Sequence, residues 1–457
     1  MAEHEVLIEN SLNLLLSEKK YASLKDVLST MNPTDVAEIL KNMGRDKLPL
    51  MFRLLPKKLA ADSFVEMDSE EQELLIKGFS DTELKEVLDE LYVDDAVDVV
   101  EEMPANVVDR IIDQSEPGMR KEINEILRYP ENSAGSIMTT EYVSLREKMT
   151  VSEAIQKIRR TGVSKETIYT CYITHDRNLI GTVSVKDLLT EDDDLRISEI
   201  MNKNVISVRT LADQEDVAQT LSKYHLIALP VVDAENRMVG IVTFDDAMDV
   251  IEEETTEDME LMGGMTPSDK TYLRSSPWDL FKHRIPWLLL LMVSATFTGM
   301  IITSFENALA AQVILTAFIP MLMDTGGNSG SQSSVTIIRA ISLGEVDFKD
   351  LCKVLWKEIR TAFMCGLSLS IVCFAKIMLV DRILLNHSEV TVPIAASVCC
   401  TMLLTVLVAK IVGCTLPLVA KKLRLDPAVM ASPFITTIVD ALSLLIYFGI
   451  ANLVLFR

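Results

Sequence analysis

The chain has 457 residues, more than one compact domain holds, and 49% of them are hydrophobic, so several units with substantial cores are expected. Its 67 acidic residues outnumber 44 Lys and Arg, giving a net charge of -23; this argues against a nucleic-acid partner, which needs clustered cations, and suits a cationic ligand instead. The 7 cysteines form no CxxC pair and the 5 histidines show no zinc-ligand spacing, so the cysteines read as small buried hydrophobes.

The opening stretch, MAEHEVLIENSLNLLLSEKK, has no basic n-region and no cleavage site after a long apolar run, so no signal peptide is read and the N-terminus is expected in the cytoplasm. Residues 1–130 read as an acidic, all-α sensor domain. Apolar residues recur at three and four spacing in DVAEILKNM, ELKEVLDELY and DVVEEMPANVVDRIIDQ. Acid-rich starts such as Asn32-Pro33-Thr34-Asp35 and Ser80-Asp81-Thr82-Glu83 return at intervals of roughly 20 to 25 residues, the pattern of a small helical superhelix.

From about residue 137, strand-like runs such as IYTCYIT and ALPVV alternate with amphipathic helices. One α/β unit occurs twice, at 137–198 and 199–250. IMTTEYVSL (137–145) matches IMNKNVISV (200–208), and GTVSVKDLL (181–189) matches GIVTFDDAM (240–248). These segments resemble a tandem pair of CBS domains. The resemblance implies that Ser184, Asp187, Thr243 and Asp246, the hydroxyl and Asp of each repeated motif, contact an adenine nucleotide such as ATP. Read from the residues alone, the same Ser and Thr cap a helix at a strand-to-helix turn.

Residues 245–283 form a connecting segment. DDAMDVIEEETTEDMELM (245–262) lacks Gly and Pro and reads as one helix, with Asp246, Asp249, Glu253, Glu257 and Glu260 along one stripe and Glu254 and Asp258 beside it. GGMTP ends that helix, and SSPWDLFKHRIPW supplies the Trp, Lys and Arg of a membrane entry.

The remainder, 284–457, reads as an all-α transmembrane domain of five spans, near 285–305, 309–341, 361–380, 391–417 and 429–456. Lys349, Lys353, Lys357 and Arg360 follow the second span and Lys421, Lys422 and Arg424 the fourth, which puts the N-terminal domains in the cytoplasm and the C-terminus outside. Asp440 falls near the middle of the last span, where an Asp costs about 2.5 to 3.5 kcal/mol on insertion scales, so it is expected to face a partner or a water-filled path. MDTGGNSGSQSS (323–334) reads as a polar interruption of the second span, lining a pore through irregular backbone and the oxygens of Asp324, Asn328 and Gln332. The other reading is close helix packing through the Gly326 and Gly330 spacing. Lys376 and Lys410 are expected to snorkel or tune helix ends, and the absence of a Walker motif argues against ATP-driven pumping.

An acidic helical domain, a CBS pair, a long acidic helix and five spans together resemble the MgtE family of Mg²⁺ channels and transporters. The most specific motifs are the DTGGNSGSQSS run with IIRA (324–340) and SPFITTIVDAL (432–442). The resemblance implies a non-enzymatic, homodimeric membrane protein with Mg²⁺ as both cargo and regulator. It carries the pore metal site to Asp440, with Thr436, Asn328 and Gly327 nearby and Ser432 where family members have Asn. It carries regulatory metal binding to Asp94, Asp98, Asp213, Glu215, Asp246, Asp249, Glu254, Glu257 and Asp258. The rival readings are a CBS-regulated channel for another ion and a membrane-anchored nucleotide or metal sensor that moves no ion.

Overall fold

The computed structural model describes residues 2–268, 272–273, 275–306, 310, 312–385 and 389–455, with the side chains of 2–7, 9, 432 and 455 outside that description. The chain divides into two compact units, Met1–Ile251 and Glu252–Arg457.

The first unit begins with helices α1 (Ala2–Ser17), α2 (Tyr21–Leu28), α3 (Pro33–Met43), α4 (Leu48–Phe52), α5 (Lys57–Val65), α6 (Ser69–Gly78), α7 (Asp81–Leu88), α8 (Val93–Glu102), α9 (Ala105–Gln114) and α10 (Pro117–Ile126). Local chemistry sets their starts. Pro33 and Pro117 occupy first-turn positions, where the missing N–H is no loss. Ser80 caps α7: its hydroxyl accepts from the Glu83 N–H at 3.3 Å while the Glu83 carboxylate accepts from the Ser80 N–H at 2.8 Å. The apolar stripe of each helix meets in one core that includes Leu24, Leu40, Met51, Phe64, Leu75, Leu88, Val97 and Ile111.

Two α/β repeats follow. β1 (Ser144–Leu145), α11 (Val151–Thr161), β2 (Thr170–His175), β3 (Asn178–Ser184) and α12 (Val185–Thr190) make the first, and α13 (Ile197–Ile200) leads to the second. The second comprises β4 (Val208–Arg209), α14 (Gln214–Tyr224), β5 (Ala228–Val232), β6 (Met238–Thr243) and the long α15 (Phe244–Met262). Their sheets have the same order, β1-β2-β3 and β4-β5-β6, with the first pair parallel and the second antiparallel. The lead segments cross over. Thr139 pairs with Ile241 of β6, and Asn202 pairs with Thr182 of β3. A Cβ on Gly240 would lie 2.7 Å from the Thr139 carbonyl, so the glycine that opens each repeated motif admits the other repeat's backbone.

The second unit contains α16 (Pro277–Ser304), a 3-10 turn at Val313–Phe318, α17 (Ile319–Ser342), α18 (Leu351–Lys376), α19 (Val392–Lys422) and α20 (Ser432–Leu455). A π-helical turn, Ile377–Leu384, continues α18 through Asp381, so the loop expected there begins later; Asp381 accepts from Lys376 Nζ at 2.8 Å. α19 is central, packing against α17, α18 and α20.

One expectation is met in part and another needs correction. Of the five expected spans, four helical segments among the described residues are long and apolar enough to cross a membrane: 277–304, 348–384, 392–422 and 427–454. The fifth expected span, α17, has 24 residues but is too polar to qualify. Nor is the glycine-rich run an interruption: residues 319–342 form one unbroken α-helix. Each helical glycine costs about 1 kcal/mol relative to alanine. Retained helix hydrogen bonding and close packing against neighbours offset that loss.

Candidate cation sites

The first site lies where α8 meets the CBS-like repeats. Valines at 93, 97 and 100 bury one face of α8 and carry Asp94 inward with them, leaving it only 7% exposed. Asp95 is half-buried, and Asp98 stands at the exposed rim. The start of α15 brings Asp246 to the same place, and the first repeat adds Glu141 and Glu166, joined by a backbone bond from the Glu166 N–H to the Glu141 carbonyl at 3.0 Å. Asp94 Oδ1, Glu141 Oε2 and Glu166 Oε2 are buried oxygens with no hydrogen-bond partner.

Burial, reinforced by neighbouring carboxylates, shifts these acids upward. Asp94 is raised well above the usual range, first by burial and then by the Asp246 charge. Asp95 rises to about 7 and Glu166 to about 8 by the same causes, and Asp246 to about 6 against the opposing hydrogen bond from Thr243. Glu141 reaches about 7, chiefly through burial. Gathered acids without a cation among them are a strained arrangement, and their all-oxygen donors suit a hard divalent ion. Among the described residues, no three His, Cys, Asp or Glu side chains close on one point as a metal cage. An ion held by these acids would therefore keep part of its water shell, as Mg²⁺ does readily.

Of the acids expected to regulate, Asp94, Asp98 and Asp246 are brought together, with Asp249 acting on Asp246. Asp213 and Glu215 sit elsewhere in the fold, at the start of α14, where the Asp213 carboxylate accepts from the Glu215 N–H at 2.9 Å. Glu254, Glu257 and Asp258 belong to the part of α15 assigned to the second unit. There Asp258 accepts from the Ser342 hydroxyl at 3.2 Å and is raised by burial, then by Asp426. Asp95, Glu141 and Glu166 were missed. Asp95 is one residue from an expected ligand, but nothing in sequence singles out two lone glutamates.

The expected nucleotide residues make caps. Ser184 accepts from the Asp187 N–H at 3.1 Å and donates to its carboxylate at 2.7 Å; at the start of α15 the Thr243 N–H and hydroxyl both donate to the Asp246 carboxylate.

The second site lies between α17 and α20. A Cβ on Gly327 would lie 2.8 Å from Thr436 Cγ2, and one on Gly326 would lie 3.0 Å from Val439 Cγ1, so the glycines let the two helices nest. Asp440 is one turn beyond Thr436, and its Oδ1 is buried without a hydrogen-bond partner. On α17, Asn328 Nδ2 donates to Asp324 Oδ1 at 3.1 Å, and Asp324, Asn328 and Gln332 form an exposed polar stripe at four-residue spacing. The close-packing reading of this run is therefore correct for its glycines, and the polar residues occupy another face. The side chain of Ser432 lies outside the described residues.

Comparison with known proteins bears on the family of the whole chain. Residues 319–450 match the family model MgtE, described as a divalent cation transporter; 31–132 match the MgtE intracellular N domain, and 134–194 and 197–253 match the CBS domain. The magnesium transporter MgtE of Thermus thermophilus is 36% identical over 450 residues, covering 97% of this chain and 98% of that protein. The chain belongs to the MgtE family. Its Bacillus subtilis relative, also a magnesium transporter MgtE, is 31% identical over 96% of this chain and 95% of its own length. Two solved structures resemble the N-terminal part. The cytosolic domain of the Mg²⁺ channel MgtE in complex with ATP has a TM-score of 0.51 and 38% identity, covering 53% of this chain and 99% of that one. The soluble part of a magnesium transporter has a TM-score of 0.52 and 30% identity, covering 56% and 99%. MgtE membership does not favour the rival readings, a channel for another class of ion or a sensor without transport.

Proposed function

We propose that the chain is a non-enzymatic transporter that carries Mg²⁺ across a membrane along a path lined by α17 and α20, under feedback from cytoplasmic Mg²⁺ bound at its acidic regions. The observation that carries this reading is the unpartnered, buried Asp440 oxygen beside the glycine-packed α17. A carboxylate at membrane depth needs a counter-charge or water, and a passing hydrated cation supplies both. The polar stripe of α17 likewise needs a cover other than lipid. Two copies facing each other across that stripe provide one, and they make α17 the fifth span despite its polarity. Thr436, Asn328 and Gly327 then border the ion, and Ser432 stands at the cytoplasmic end of the helix. The N-terminus is cytoplasmic and the C-terminus outside.

The domains divide the labour at 1–130, 137–198, 199–250, 245–283 and 284–457. At low cytoplasmic Mg²⁺ the gathered acids repel, by about 4 kcal/mol for a pair at 4 Å and an effective dielectric of 20. Rising Mg²⁺ bridges them and closes the path through α15, with Asp213, Glu215, Asp249, Glu254, Glu257 and Asp258 contributing further ligands. Several ions act together, since reversing a 1:99 equilibrium takes about 5.5 kcal/mol of differential binding. An adenine nucleotide at Ser184, Asp187, Thr243 and Asp246 adjusts this response, a reading supported by the ATP complex of the similar cytosolic domain. Asp440→Ala in vesicles is the direct test. Mg²⁺ flux is expected to vanish while Mg²⁺ still protects the cytoplasmic unit from protease; full flux in that variant would overturn the path.

A further inference from the structure

One buried polar group in the second unit takes no part in the path just described. Lys410, on α19, does not snorkel: it is 6% exposed, and its ammonium donates to the Ser333 hydroxyl of α17 at 3.2 Å. Ser333, 2% exposed, donates in turn to Glu358 Oε2 of α18 at 2.7 Å. The ammonium and carboxylate are 3.9 Å apart, so the serine hydroxyl bridges a loosely closed ion pair. One turn away on each of the three helices lie Ile337, Val354 and Cys414, packed in a single apolar cluster. That cluster covers the pair toward one end of the helices, and a charge this deep persists only with a partner.

The hydroxyl is well placed to orient α17. At about 100° per residue, Ser333 lies roughly 140° around the helix from Asn328. A pull on Ser333 therefore aims Asn328 away from α18 and α19. At Gly330 itself α17 meets its neighbours without a side chain of its own, lying against Ala409, Gly413 and Ile435. Hydrogen bonds are directional where such backbone contacts are not. The adjacent Ser334 donates to the Met430 carbonyl at 3.0 Å, tying α17 to the lead-in of α20.

We propose that Lys410 and Glu358 are positioning residues for cation passage, acting through the Ser333 hydroxyl to fix the rotation of α17 and so hold Asn328 at the Asp440 site. This rests on the transport reading, and the test separates the two. Purified full-length protein in vesicles is assayed for Mg²⁺ flux against Mg²⁺ concentration, normalised to folded protein measured by thermal melting. Wild type is compared with Ser333→Ala and with the double variant Lys410→Met/Glu358→Gln; Lys410→Met alone strands a buried carboxylate and is not relied upon. Both variants are expected to raise the half-saturating Mg²⁺ concentration by about fivefold or more, with maximal flux changed less than about twofold. A brace with only a structural role loses folded protein and leaves half-saturation where it was, and that result overturns the proposal. Wild-type vesicles that conduct no Mg²⁺ sink the transport reading instead.

Discussion

At Gly413 a methyl group would lie 2.2 Å from the carbonyl oxygen of Gly330, and backbone on both sides leaves it nowhere to go. Gly299, on the outer α16, has nothing within 4 Å of the same position. Gly413→Ala is therefore expected to destabilise the second unit by about 1 to 3 kcal/mol or more, as overpacking does, while Gly299→Ala meets no neighbour and gains helix propensity, so its melting in detergent rises slightly. Equal melting of the two variants would contradict the packing. Cost makes some residues stand out in advance: an Asp in an apolar run is expensive, and the structure buries an Asp440 oxygen without a hydrogen-bond partner. Lys410 is just as expensive, yet it suggested a snorkelling side chain. Its partners Ser333 and Glu358 stand 77 and 52 positions away, and only folding brings them together. Glu141 and Glu166 were invisible for the same reason, each being one acid among 67.

The acidic seam between α8, the first repeat and α15 has a pH signature. An acid whose folded pKa is raised favours folding below its unfolded value, and that contribution is lost as pH rises through the folded pKa. With folded values of about 6 for Asp246, 7 for Asp95 and Glu141, and 8 for Glu166, the loss spans roughly pH 4 to 8. In chelator, the melting temperature of the cytoplasmic unit is expected to fall across that window, and millimolar Mg²⁺ to restore it. A flat or rising chelator curve would count against the seam. Above about pH 8, where Glu166 is charged, Glu166→Gln removes one of the repelling charges, so it should melt higher than wild type in chelator and gain less from Mg²⁺. Among the elements, α15 was legible as one acidic helix because nothing in 245–262 breaks it. α17 was misread because a run of glycines ordinarily signals irregular backbone, whereas here neighbouring helices meet that backbone closely enough to keep it helical.

On the scale of the molecule, the feedback reading separates flux from its control. Neutralising Asp249, Glu254, Glu257 and Asp258 together is expected to leave Mg²⁺ flux intact but insensitive to internal Mg²⁺, measured in vesicles loaded across a concentration series. Persistent inhibition would remove these acids from the control. The overall architecture was readable because its parts differ in kind: three-and-four periodicity, a duplicated strand motif, and apolar runs confined to the final 170 or so residues. The number of membrane helices was less legible, since α17 carries a polar stripe that lowers the hydropathy by which spans are recognised.

The exchange of lead segments between the two α/β repeats has a further meaning. Thr139 completes hydrogen bonding on β6 of the later repeat, and Asn202 does so on β3 of the earlier one. Neither copy is whole by itself. Expressed singly, each would present an unfinished sheet edge, so the duplication behaves as one inseparable body, and a ligand gripping either half tightens both.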